Sequence, residues 1–279
     1  MPEVETTAGT IEYQDTGGDG HPVVLLHGVL MDAEQWREVV PGLSADYRVI
    51  RPTLPLGAHP QPMRPDADLS LRGQARLVAE FLELLDLRQA ALAFNDWAAP
   101  QLLIADGLVD RVGSLILVAC ETAGNYPPGL PGRNLALLGR VPGALSLALR
   151  AMRFRPIRRL PITFGWMAKR GIPDELVDRW LDRALASKQV LRDVLKYVRS
   201  TPQGRLDLIA ASEQLGAFEG PVTVIWSTED RVMPLAEGRK LAASFPNGRL
   251  NTVDDSYVLI PLDQPGRLTE LIREHLARA

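Results

Sequence analysis

Three acids stand where apolar runs stop. Asp96 follows "ALAFN", Glu121 follows "SLILVAC", and Asp230 lies just past "PVTVIWS". A carboxylate can attack an electrophilic carbon with no general base to activate it, leaving an ester on the protein. Releasing that ester takes an activated water, and therefore a base. Only four histidines are available for this: His21 before an apolar run, His27 beside Gly28, His59 in the loop after "YRVI", and His275 in the terminal helical pattern. Of these, His59 sits on a loop that could approach Asp96. A hydrogen bond that sets the shape of its loop accounts for His27. The bland reading of "NDW" is a helix cap, with Asn95 or Asp96 accepting from the first N–H groups of a helix that carries Pro100 in its first turn.

The elements needed to position these groups follow from the hydrophobic pattern. "TIEYQD" alternates, while "PVVLL", "YRVI", "AALAF", "VGSLILV" and "PVTVIWS" are short solid apolar runs. Helical spacing separates them in "MDAEQWREVVPGL", "LSLRGQARLVAEFLELLDL" and "APQLLIADGL", with Ser70 as an N-terminal cap for the second. Apolar strands alternating with helices imply a mostly parallel sheet covered on both faces. Ligands in such sheets gather at the carboxyl ends of the strands. Those ends carry His27 to Val29, Thr53 to His59, Asn95 to Trp97, Glu121, Thr228 to Asp230 and Asp254 to Tyr257. From 122 to 214 no strand pattern appears, only helical segments broken by "NYPPGLPG", "VPG" and "GIPDE". The expected organisation is a core of residues 1–121 and 215–279 split by a helical cap, 122–214.

This order of parts, with "LLHG" at Leu25 to Gly28, the strand-turn-helix at Asp96 and "VIWSTEDRVMP" at Val224 to Pro234, resembles the α/β-hydrolase superfamily over nearly the whole chain. Asp followed by Trp resembles the nucleophile elbow of haloalkane dehalogenases and epoxide hydrolases, and the resemblance implies an eight-stranded sheet and a helical cap. It also implies roles: Asp96 as nucleophile, the backbone N–H groups of Val29 and Trp97 as an oxyanion hole, and Asp230 or Glu121 as the supporting acid. The Trp97 indole would contact a leaving halide, and Tyr126, with Tyr197 at the far end of the cap, would donate to an epoxide oxygen. Two positions depart from the pattern. Glycine is usual two residues before the nucleophile, and here it is Phe94; a Gly-His is usual after the last strand, and here the chain reads "DDSYV" through Tyr257 and Val258. The rival expectation is therefore a protein that keeps the fold and pocket without hydrolytic turnover, either a ligand binder or a non-hydrolytic biosynthetic catalyst.

Composition limits the rest. With 279 residues, 46% of them hydrophobic, the chain can bury a real site, and a net charge of −3 gives no general call for nucleic acid. One cysteine, Cys120, excludes an intramolecular disulfide and fits a reducing, cytoplasmic setting. No apolar segment is long enough to span a bilayer. The expected ligand is a small or medium apolar molecule, with no cofactor, no metal and a homodimer as the possible assembly. His27, Asn95, Tyr126, Trp166 and Tyr257 are the candidates to line its pocket. Between Arg150 and Arg170 there are seven basic residues and no acid, read as a solvated cap face whose arginine stems cover apolar surface.

Overall fold

The computed structural model describes all 279 residues. Eight strands, β1 (Glu3–Glu5), β2 (Thr10–Asp15), β3 (Pro22–Leu26), β4 (Arg48–Pro52), β5 (Ala90–Asn95), β6 (Val112–Val118), β7 (Val222–Ser227) and β8 (Gly248–Val253), form one sheet in the order β1-β2-β4-β3-β5-β6-β7-β8. The pairs β1·β2 and β2·β4 are antiparallel and every other pair is parallel, as expected from the apolar runs. The short β1 carried no sequence signal, because three residues on an edge need no hydrophobic pattern. Register pairs Leu26 with Phe94, Asn95 with Val118 and Val118 with Ile225. The segments after β3, β5, β6 and β7 therefore leave the sheet close together, which is what assembles a site from distant sequence.

Helices α1 (Leu71–Leu84) and α2 (Ala99–Ala105) cover the sheet within the first part of the chain. The Ser70 hydroxyl accepts from Gly73 N–H at 3.1 Å and fixes the start of α1. Between β6 and β7 come α3 (Gly129–Arg140), α4 (Ala144–Ala151), α5 (Arg155–Arg158), α6 (Asp174–Ala186), α7 (Lys188–Arg199) and α8 (Thr201–Ser212). The last of these packs on α1 and α2, so the helical insertion ends against the core rather than above it. Helices α9 (Leu235–Ala243), α10 (Ile260–Asp263) and α11 (Pro265–Leu276) complete the chain.

The helix expected over "MDAEQWREVVPGL" is two short 3₁₀ turns instead, Ala33–Trp36 and Val40–Gly42. Pro41 breaks the pattern, and Asp32 is drawn out of it. The Asp32 carboxylate is fully buried and accepts from Glu34 N–H at 3.1 Å, from Trp180 Nε1 at 2.8 Å and from Arg179 Nε at 2.5 Å. It is a bolt between core loop and α6. Removing it strands the Trp180 indole and leaves Arg179 and Arg183 without their shared anion. Asp32→Ala is expected to lower the unfolding free energy by about 2–3 kcal/mol, less than the usual cost of breaking a buried pair because Arg179 keeps 37% side-chain exposure and can rehydrate. A urea midpoint unchanged from wild type would contradict this.

Candidate active site

Asp96 stands at the end of β5 with a left-handed φ of 61°, and α2 begins three residues later. The turn forms although Phe94 replaces the usual glycine. Its ring is wholly buried, 5.9 Å from the Trp97 ring, and the small Ala98 and Ala99 keep the other side of the turn narrow. Capping does not explain the acid: Ala98 is the N-cap and no side chain caps α2. Asn95 is occupied elsewhere, donating to the Val118 and Val258 carbonyls at 2.8 Å each and accepting from Gln35 Nε2 at 2.5 Å. The Asp96 carboxyl has no side-chain hydrogen bond of its own and faces a cavity of about 110 Å³ between core and cap.

One neighbour makes room for it. A Cβ on Gly28 would stand 2.6 Å from Asp96 Oδ2 and 2.9 Å from Asp96 Cβ. The acid can occupy this position only because residue 28 has no side chain. Gly28→Ala is expected to destabilise the fold by about 1–3 kcal/mol and to push the Asp96 carboxyl out of place, so a crystal structure of the variant with Asp96 unmoved would refute this account. Next to Gly28, the Val29 N–H donates to no group of the protein, and the Trp97 N–H reaches no oxygen, only the side of the Cys120 thiol. The Val29 N–H is thus a free backbone donor at the cavity wall, of the kind that can bind developing negative charge.

Most of the cavity wall is apolar, from Met31, Leu135, Leu145, Leu149, Phe164 and Met167 among others. Its polar members include Asp96, Glu121, Tyr126, Tyr197 and Thr201. None is basic. Burial pushes the Asp96 carboxyl well above the usual carboxylate range, and the charge of Asp230 pushes it further. Burial does the same to Glu121, followed by the charge of Asp96, while the Ala98 backbone N–H pulls in the opposite direction. Glu121 Oε2 has no hydrogen-bond partner. Asp230 accepts from Val232 and Met233 N–H through Oδ1, at 2.8 and 2.7 Å, yet its Oδ2 is unpartnered and burial raises the group to about 7. Both phenols are pushed up by burial first and by Glu121 second, which places all these groups within reach of one another's fields. With no cation in the wall, burial and the neighbouring acid favour the protonated form of Asp96 and Glu121, and Asp230 behind them is raised to about 7.

Of the sequence candidates, Asp96, Glu121, Val29 and Tyr126 line the cavity together. Others stand apart from it. His59 does not approach Asp96: it lies off the wall, its Nε2 3.3 Å from Asp193 Oδ2 on α7, because that buried carboxylate offers it a partner the core does not. His27 is a strut rather than a lining residue. Its Nε2 accepts from Leu54 N–H at 2.9 Å, its Nδ1 lies 2.8 Å from the Gly28 carbonyl, and burial lowers it to about 4, so it is neutral and holds the loop beside Asp96. Asn95 ties strands, as described above, and is off the wall too. Trp166 and Tyr257 flank the Arg231 guanidinium, 5.9 and 5.2 Å from their ring centres, and leave the apolar ceiling to Phe164 and Met167. Trp97 and Asp230 sit behind the wall, the Trp97 indole N–H without a partner. Val258 is fully buried, its carbonyl taken by Asn95. Thr201 and Asn134 were missed, since a cap helix has no strand end to mark its polar residues.

The family model for the alpha/beta hydrolase fold matches residues 21–265, and the chain belongs to that family. Among curated relatives, a 2-hydroxy-6-oxononadienedioate/2-hydroxy-6-oxononatrienedioate hydrolase of Cupriavidus pinatubonensis is 27% identical over 249 residues, covering 86% of this chain and 81% of that one. Among solved structures, a meta-cleavage product hydrolase from Pseudomonas fluorescens superposes with a TM-score of 0.77 at 21% identity, over 100% of this chain and 98% of that one. A putative ancestral haloalkane dehalogenase gives a TM-score of 0.77 at 19% identity, over 100% and 99%. These structural likenesses carry the fold. No helix is long and apolar enough to cross a membrane.

Proposed function

We propose that the cavity is the active site of an enzyme acting on a small or medium apolar, uncharged electrophile, with Asp96 as the group that reacts. The observation that carries this is an unpartnered Asp96 carboxyl in an apolar cavity whose wall it shares with Glu121 and two cap tyrosines. Carboxyl groups that feel one another's charge share protons, so one is ionised while another is neutral. The ionised Asp96 attacks carbon, and the protonated Glu121, directly or relayed through the phenol of Tyr126 or Tyr197, gives its proton to the departing oxygen. An epoxide fits this arrangement better than a haloalkane, since the Trp97 indole N–H lies behind the wall. Opening the ring breaks the carbon–oxygen bond and leaves an ester on Asp96. Glu121, once deprotonated, then takes a proton from the water that attacks that ester.

The relative from Cupriavidus pinatubonensis is named for a dioate substrate. A dicarboxylate would meet Asp96 and Glu121 here, with no basic residue in the wall to offset them, and is disfavoured as a substrate of this chain. A second reading rests on the absence of histidine from the cavity wall: a protein that binds or rearranges its ligand without hydrolysing it. One experiment separates the two. The protein is incubated with a panel of epoxides, haloalkanes and activated esters while product and intact mass are followed. Turnover supports the first reading. No turnover and no adduct across the panel, with apolar ligands still raising the melting temperature, replaces it with the second.

A further inference from the structure

The cap carries an unusual surface. From Thr122 to Pro173 the chain has nine basic residues and no acid, in a protein whose net charge is −3. Every exposed side chain between 129 and 162 is arginine or apolar, with no acid and no neutral hydrogen-bonding residue among them. On α3 the exposed positions are Leu130, Arg133, Leu137 and Arg140, a single stripe down one helix face. Leu147, at 71% exposure, and Phe154, at 66%, continue it along α4 and the turn that follows. Large apolar side chains rarely stand so far out of a folded protein in a group.

The arginines divide into two sets. Arg153, Arg155 and Arg158 are paired with Asp182, Asp174 and Asp178 of α6. Arg133, Arg140, Arg150 and Arg159 have no carboxylate within 4.0 Å. The first set accounts for cap architecture; the second is free to meet anions from outside. The cavity opens on the same side. Ile162 is 45% exposed and also lines the cavity, and its carbonyl accepts from Asn134 Nδ2 of α3 at 3.1 Å to form the rim.

We propose that this face of α3, α4 and the 154–162 segment docks on an anionic lipid surface, so that the cavity exchanges apolar ligand with the lipid rather than with water. Leucine and phenylalanine would enter the boundary between headgroups and acyl chains, and the four free arginines would lie at phosphate level. Interleaved apolar and basic side chains, with no acid in the segment itself and the α6 acids already paired to Arg153, Arg155 and Arg158, match such a boundary. A protein partner of comparable size would present hydrogen-bonding groups for which this face has no neutral counterpart.

The test is co-sedimentation of the whole protein with phosphatidylcholine vesicles, with and without phosphatidylserine. Binding is expected with phosphatidylserine, weak or absent without it, and reduced by salt. The double substitution of Leu147→Ser with Phe154→Ser should abolish it, and each of Arg140→Gln, Arg150→Gln and Arg159→Gln should weaken it roughly fivefold. These positions are exposed, so an unchanged melting curve verifies that the variants fold. No binding to anionic vesicles overturns the proposal, and so does binding that ignores lipid charge and the arginines. A solution mass of twice 30.6 kDa that falls to the monomer in the Leu147→Ser and Phe154→Ser variant overturns it too, in favour of a second copy of the chain on this face.

Discussion

Asp96→Asn is expected to abolish turnover of whichever epoxide or related electrophile the panel identifies, lowering kcat/KM by at least about a thousandfold. The amide keeps the volume and one acceptor of the carboxyl, so the turn at φ 61° should survive. What it removes is the nucleophilic oxygen. Glu121→Gln should behave differently. If Glu121 serves the second step, this variant still forms the ester on Asp96 but releases it about 10²–10⁴ times more slowly, and the adduct accumulates in the intact mass. Equal rates in wild type and Asp96→Asn would end the nucleophile assignment; a Glu121→Gln variant with normal turnover would remove Glu121 from the chemistry while leaving Asp96 in place.

The second large effect concerns stability against pH, and it runs opposite to the usual behaviour of salt-bridged carboxylates. Asp230 titrates near its ordinary 3.8 in the unfolded chain and at about 7 in the folded one. Between those values the folded protein holds a proton that the unfolded chain has lost. Its contribution is therefore complete below pH 3.8 and is lost as the pH rises through about 7. The shift corresponds to a span of about 4 kcal/mol, an upper figure because local relaxation reduces it. Asp230→Asn keeps an oxygen to accept from Val232 and Met233 and removes the charge. The variant is expected to gain several kcal/mol on wild type at pH 8 and to converge with it near pH 4, measured as urea midpoints at the two pH values. A constant difference between the two proteins across that range would show that Asp230 does not titrate as described. Asp96 and Glu121, shifted in the same direction, add to the wild-type slope, and because the Asp230 charge raises Asp96, part of the difference between the two proteins comes through Asp96.

How far the sequence revealed this arrangement depended on the range of the interaction involved. Apolar runs located the parallel strands because burial on both faces of a sheet leaves a continuous pattern. Strand ends pointed to Asp96 and Glu121 for the same local reason. Pairings across long stretches of chain were invisible. His59 looked available until Asp193, 134 residues away, supplied its partner. Trp166 and Tyr257 looked like lining until Arg231 came between them. The helix expected after Met31 failed on a similar account, since Asp32 finds Arg179 and Trp180 in a part of the chain that no local window includes. The basic run was plain in the sequence; that its apolar neighbours also face outward was not, because helix orientation in the cap depends on what α3 and α4 pack against.

The bolts formed by Asp32 on α6 and Asp193 on α7 have a kinetic consequence. Each is a fully buried acid joining cap to core, Asp193 accepting from Met63 N–H at 2.7 Å as well as meeting His59. Swinging the whole insertion away would expose both at once, an event as rare as partial unfolding. On the opposite side, α3 meets the 160s through the Asn134 contact to the Ile162 carbonyl, with exposed leucines around it. Ligand residence time should then be set by the breathing of one rim, fast and local, and a lipid surface pressed against that rim would act directly on the rate of exchange.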